Sequence, residues 1–111
     1  MIGGLVFRAY SIALEMVREL GPLLERIRRR DRKLEDQGRR AAASVALNLA
    51  EGWRRVGKDR LHLFRIAAGS ADEVVAVLDV SEAFGYLRSA ETAAVRSQVD
   101  QVLAITYRLT H

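Results

Sequence analysis

The chain has 111 residues, the size of one domain, with 50% hydrophobic residues, a single proline and a formal net charge of +4, so one helical core is expected. The absence of cysteine excludes disulfides, thiolate metal sites and cysteine nucleophiles. The only histidines, His62 and His111, are too few for a three-histidine zinc site in one chain, and neither a metal nor another cofactor is expected.

The N-terminal MIGGLVFRAY has neither a basic leader nor a long apolar stretch. The longest weakly polar run, AAASVALNLA, is well short of the roughly 20 residues that span a bilayer. A soluble, cytoplasmic protein with no membrane partner is therefore expected.

The first helix is predicted over about residues 5–27, where Ala13, Met16, Val17, Leu20, Leu24 and Ile27 form an apolar stripe. Gly21-Pro22 interrupts it, and an interior proline costs about 3 kcal/mol. Leu20, Leu23, Leu24 and Ile27 nevertheless keep phase across it, which predicts one kinked helix. A second helix is expected over 31–51, with Asp31 as N-cap and Gly52 as the left-handed residue after its end. Its middle is small (Ala41, Ala42, Ala43, Ser44, Ala46, Ala50), which permits close approach of another helix. Gln37, Ser44, Asn48 and Glu51 form a polar row along one of its faces.

The third helix, 58–84 with Gly85 as its stop, carries two apolar stripes. One is Leu61, Phe64, Ala68, Ala71, Val75 and Leu78, and the other is Leu63, Ala67, Val74, Val77 and Phe84. So wide an arc is expected to be covered by its own bundle and by a neighbouring subunit. The fourth helix, 89–109, starts with Ser89 as N-cap and Glu91 in its first turn. It continues as Thr92, Val95, Val99, Val102, Thr106 and Leu109. Four such helices on short connections make an all-α, up-down-up-down antiparallel four-helix bundle in a single domain, residues 1–111.

Charge is uneven along the chain. Residues 26–65 hold 13 Arg or Lys against five acids, a local +8, while the remainder holds five cations and nine acids. A basic middle on an otherwise acidic chain points to a polyanion, or to a complementary face on another copy.

The stretch Gln37–Leu87 resembles the four-helix bundle family of 23S rRNA intervening sequence proteins. The pattern Q-x-x-R-A-x-x-S-x-x-x-N-x-A-E-G is filled here by Gln37, Arg40, Ala41, Ser44, Asn48, Ala50, Glu51 and Gly52. A basic turn then leads to Phe64, Ala68 or Ala67, Gly69, Ser70 and Glu73. RIRRRDRKLED departs from the aromatic-proline turn that many members carry before the second helix. The resemblance implies a homopentamer with no established enzymatic activity. The accessory variability determinant protein of diversity-generating retroelements has a similar fold, so the resemblance also implies a nucleic acid and a reverse transcriptase as partners.

Two groups of residues are candidates for function. Gln37, Arg40, Ser44, Asn48, Glu51, Ser70 and Glu73 read first as a polar network that fixes helix register or subunit pairing, with Asn48 and Arg40 as partners for Glu51 or Glu73. Read as an enzyme, Glu51 and Glu73 would be a carboxylate pair with Asn48 orienting a substrate, but no nucleophile with an obvious base accompanies them. The second group is Arg28, Arg29, Arg30, Arg32 and Lys33 at one turn, and Arg54, Arg55, Lys58 and Arg60 at the next. These nine are either a solvated face or a nonspecific RNA or DNA surface. In an antiparallel bundle the two turns lie at opposite ends. Trp53 offers a flat surface for a base or an arginine, whereas Tyr10, Phe64, Phe84 and Tyr86 are expected as core or interface anchors. His62 is expected on the surface or at an interface.

The function expected is that of a non-enzymatic, homo-oligomeric scaffold or nucleic-acid-binding accessory. The alternatives are an adaptor for an acidic protein and a carboxylate-based helical enzyme.

Overall fold

The computed structural model describes residues 2–111, and the described residues form four helices and no strand. They are α1 (Ile2–Arg28), α2 (Arg32–Arg54), α3 (Gly57–Ala83) and α4 (Ser89–Thr110). Each packs chiefly on two neighbours, α1 and α3 both lying between α2 and α4. The start of α1 meets the end of α2 where Gly3 faces Trp53. The end of α1 meets the start of α4 where Arg26 pairs with Glu91. These contacts define an antiparallel four-helix bundle 42 Å long. No described helix is long and apolar enough to cross a membrane.

The core is filled by Phe64, Met16, Leu20, Ile27, Leu49 and Leu78, all fully buried. Helix α1 runs unbroken through Pro22. Pro22 itself is exposed, so the Arg18 carbonyl that loses its helical donor lies where water can supply one. Asp31 caps α2, its Oδ1 accepting the Leu34 backbone N–H at 3.0 Å.

Helix α2 does not end at Gly52 but continues to Arg54. Gly52 is instead a point of close approach: a Cβ there would lie 2.7 Å from Cε1 and 2.8 Å from Cδ1 of the buried Phe64 ring. Gly38 acts likewise nearer the start of α2, where a Cβ would lie 2.7 Å from Leu24 Cδ2 of α1. Small residues on α2 thus let both neighbours come close, as expected for a helix with so small a middle.

Both stripes of α3 are largely covered within one chain. Phe64, Ala71 and Leu78 on one, and Ala67, Val74 and Val77 on the other, are all buried, because α3 sits between α2 and α4. Burial of these six residues therefore needs no second subunit. Phe84, the last member, stays 63% exposed. The helix ends in a Schellman turn: Gly85, at φ 78°, donates its N–H to the Glu82 carbonyl and Tyr86 donates to that of Ser81.

Ser89 is the first residue of α4 and not its cap. Arg88 occupies the cap position, and its backbone N–H donates to Glu91 Oε1 at 2.9 Å. Glu91 is also held by Arg26 of α1, so a tertiary ion pair fixes where α4 begins. Along the α3–α4 seam Arg96 bonds Asp79 at 2.8 Å and also Glu82, which accepts from Thr92 Oγ1 at 2.9 Å.

Hydrogen bonds from Arg96 and Thr92 hold the Glu82 carboxyl below its ordinary range, and those from Arg26 and the Arg88 N–H do the same for Glu91. A lowered folded value gives stability that is complete above the unfolded glutamate value of about 4.3 and is lost as pH falls through the folded one. The thermal midpoint is therefore expected to drop below about pH 4.3. Glu82→Gln should flatten some of that drop, and an unchanged acid limb would exclude Glu82 as a contributor.

Candidate nucleic-acid interface

Cations at the ends of helices are favoured by the unsatisfied carbonyls there, and both basic clusters of this chain begin in that way. Arg28 ends α1, and Arg29, Arg30, Arg32 and Lys33 follow around the three-residue connection to α2. Arg54 ends α2, and Arg55, Lys58 and Arg60 follow around the two-residue connection to α3. The 23 residues of α2 separate them, about 34 Å at the helical rise. The structure therefore places the two clusters at opposite ends of the molecule, and one chain cannot present them as a single patch.

The clusters also differ in what their cations already do. At the α2–α3 end Arg55 pairs with Glu51 at 2.8 Å. Arg60 reaches back to the last turn of α2, donating Nε to the Gly52 carbonyl at 3.2 Å and an Nη to that of Trp53 at 2.8 Å. Its guanidinium also lies 5.1 Å over the Trp53 ring. Trp53 thus carries an arginine on one side and meets Gly3 of α1 on another. Arg60 helps cap a helix, since it donates to two last-turn carbonyls of α2, that of Gly52 also accepting the Arg55 N–H at 3.1 Å. Arg60→Met is expected to cost about 1 kcal/mol, read as a lower thermal midpoint, with no change in nucleic-acid affinity.

At the α1–α2 end, by contrast, none of Arg28, Arg29, Arg30, Arg32 and Lys33 forms an ion pair among the described residues. All five are exposed. The α3–α4 connection lies beside them: Tyr86 donates its hydroxyl to Asp31 Oδ2 at 3.2 Å, and Arg30 sits 5.3 Å over the Tyr86 ring. Burial first, and then the Asp31 carboxylate, push the Tyr86 hydroxyl up from its ordinary pKa, so it remains a proton donor. The ring of Phe84 stacks on Tyr86 at 5.3 Å and 17°.

The polar residues of α2 and α3 separate into a small seam and an outer face. Ser44 Oγ meets Ser70 Oγ at 2.7 Å, and Asn48 Nδ2 donates to both the Ser44 carbonyl and its Oγ at 2.9 Å. Gln37, Arg40, Glu51 and Glu73 are exposed. The pairing expected for them is corrected. Arg40 pairs with Asp36 at 3.0 Å and Glu51 with Arg55, each one turn away along the same helix. A neighbour at i+4 is always within reach of a long side chain, whereas the seam is spanned only by the short serines.

Of the aromatics expected as anchors, Phe64 is core and Tyr10 packs against it, while Phe84 is exposed. His62 is exposed. A shallow groove of about 460 Å³ runs between α1 and α2, lined by Val6, Phe7, Tyr10, Leu49, Ala50 and Trp53 with Gly3 and Arg54. Sequence reasoning missed the Arg60 cap and the aromatic stack. The signal for the stack was Phe84-Gly85-Tyr86, two aromatics around a glycine that must turn the chain back.

The model of the 23S rRNA-intervening sequence protein family matches residues 7–108. The chain belongs to this family. Its fold is similar to that of a protein of unknown function from the S23 ribosomal protein family of Bacteroides thetaiotaomicron VPI-5482, with a TM-score of 0.83. The two are 14% identical, and the alignment covers 92% of this chain and 97% of that one. No curated protein sequence matches significantly. In this member of the intervening sequence family, polar residues of the pattern meet at Ser44, Asn48 and Ser70, and apolar ones where Gly52 faces the Phe64 ring.

Proposed function

We propose that the protein is a non-enzymatic accessory that binds RNA or DNA without sequence reading, through its α1–α2 end. The observation that carries this is the run of five exposed cations over residues 28–33 with no ion pair among the described residues. Five like charges held together repel one another, and a polyphosphate relieves that repulsion while releasing its own counterions. The α2–α3 cluster contributes less, because Arg55 and Arg60 are already engaged.

The proposal includes self-association, with a pentamer as the copy number suggested by family resemblance. Among the described residues the large apolar side chains left most exposed on α1 and α2 are Phe7 at 72% and Leu47 at 66%, which supports an interface on that side. In a cyclic assembly every copy's basic end lies at one height along the axis. Five chains of +4 would carry about +20 in all, and their basic ends would form one rim.

The test is titration of a labelled mixed-sequence RNA at roughly 50 and 200 mM salt, with the molar mass followed by light scattering. Affinity is expected to fall by about 0.7 log unit per log unit of salt for each phosphate neutralised in a single strand. Arg28, Arg29 and Arg30 replaced together by Glu should abolish binding, while Arg54→Glu with Lys58→Glu should only weaken it. Undiminished binding by the first variant would remove the α1–α2 end as the site. Competition by an acidic peptide but not by RNA would favour the adaptor.

A further inference from the structure

Phe84 is a large apolar ring at the protein surface, 63% exposed, where the core had room for Phe64 at 0%. It is not loosely held. Tyr86 braces it from one side, ring on ring at 5.3 Å and 17°. Tyr86 is fixed in turn by its hydrogen bond to Asp31, which also caps α2. The Schellman turn at Gly85 sets the spacing between the two aromatics. Two connections of the bundle are therefore tied together, and they hold an exposed ring at the end that carries the five cations without ion pairs, with Arg30 over Tyr86.

Trp53 at the other end, by contrast, already carries Arg60 over its ring. An aromatic face next to phosphate-binding arginines is the combination that takes an unstacked base, because every base has a π-face and every nucleotide a charge. A duplex keeps its bases stacked on each other and cannot offer one.

We propose that Phe84, braced by Tyr86, is a stacking platform for an unpaired base whose neighbouring phosphates lie on Arg28, Arg29 and Arg32. This makes single-stranded nucleic acid the substrate class. The inference rests on the reading of the α1–α2 end as a nucleic-acid site, and it adds what that reading lacks, a preference between strands and duplex. Since the platform sees only the base face, RNA and DNA strands of one sequence should bind alike.

The experiment uses the full chain and four probes of one sequence, RNA and DNA, each as a single strand and as a duplex. The strands carry one 2-aminopurine, whose fluorescence falls on stacking. Phe84→Leu keeps an apolar side chain but removes the ring. It is expected to weaken single-strand binding about ten-fold, the order of one lost base stack. It should also abolish the quenching, leave the salt slope unchanged and leave duplex affinity unchanged. Phe84→Trp should restore both affinity and quenching. If Phe84→Leu binds strands as tightly as the native protein while the triple Arg→Glu variant does not bind, the platform is wrong and the electrostatic site stands. A change of molar mass in Phe84→Leu would make Phe84 a subunit contact and overturn the platform. If no probe binds the native protein, the site itself falls.

Discussion

Phe64→Ala is expected to lower the unfolding free energy by about 3–5 kcal/mol, the largest effect of any single truncation in this chain. The side chain is completely buried, and it is the largest among the fully buried residues. Its ring fills the space that Gly52 leaves on α2, with Cε1 and Cδ1 under 3 Å from where a Cβ would stand. Removing the ring leaves a cavity bounded on one side by helix backbone, which cannot collapse into it as a flexible side chain would. A domain of this size has about 5–15 kcal/mol in total, so the variant should lose a large share of its stability. Denaturant titration decides the matter. A loss below about 1 kcal/mol would mean that α2 and α3 are not packed through this contact.

The second large effect approaches the same contact from the other side. Gly52→Val places a branched side chain against the Phe64 ring and the Leu63 Cβ, which is 3.4 Å from the built Cβ. Overpacking of this kind costs about 1–3 kcal/mol or more, and the helix propensity regained over glycine, under 1 kcal/mol, does not offset it. Gly69 is the matched control, since it is also inside a helix but a Cβ there would meet nothing within 4 Å. Gly69→Ala should therefore stabilise by about 0.5–1 kcal/mol. Opposite signs at two helical glycines, measured by thermal unfolding, are the expected outcome. Equal signs would show that propensity rather than contact governs both.

Local signals in the sequence were legible wherever a residue's role depends on residues within about one turn of it. Asp31 caps α2, Gly85 turns the chain after α3, and the apolar stripes point inward, because 3.6-residue periodicity and caps are properties of a single helix. Gly52 was misread because a glycine near a helix end carries the same local signal whether it stops the helix or admits a neighbour. Ser89 was misread for a related reason: a good cap residue was present, but Glu91, anchored on Arg26, set the helix start one residue earlier. The stripes of α3 are legible in the sequence, but a helix pattern does not say whether a face is buried by the same chain or by another.

The candidate site divides in the same way. Composition, spacing and residue identity are carried by the chain alone, and they suffice for four helices, a basic middle and a family pattern running through the second and third helices. Packing of the helices separates the basic middle into two clusters about 34 Å apart along α2, sets Arg60 on a helix end, and brings the unpaired cations to the end that holds Phe84 and Tyr86. The physical reason is that a charge or a ring acquires its function from what lies within a few ångströms of it. For residues more than 50 positions apart, such as Asp31 and Tyr86, only the packing of the helices sets that distance.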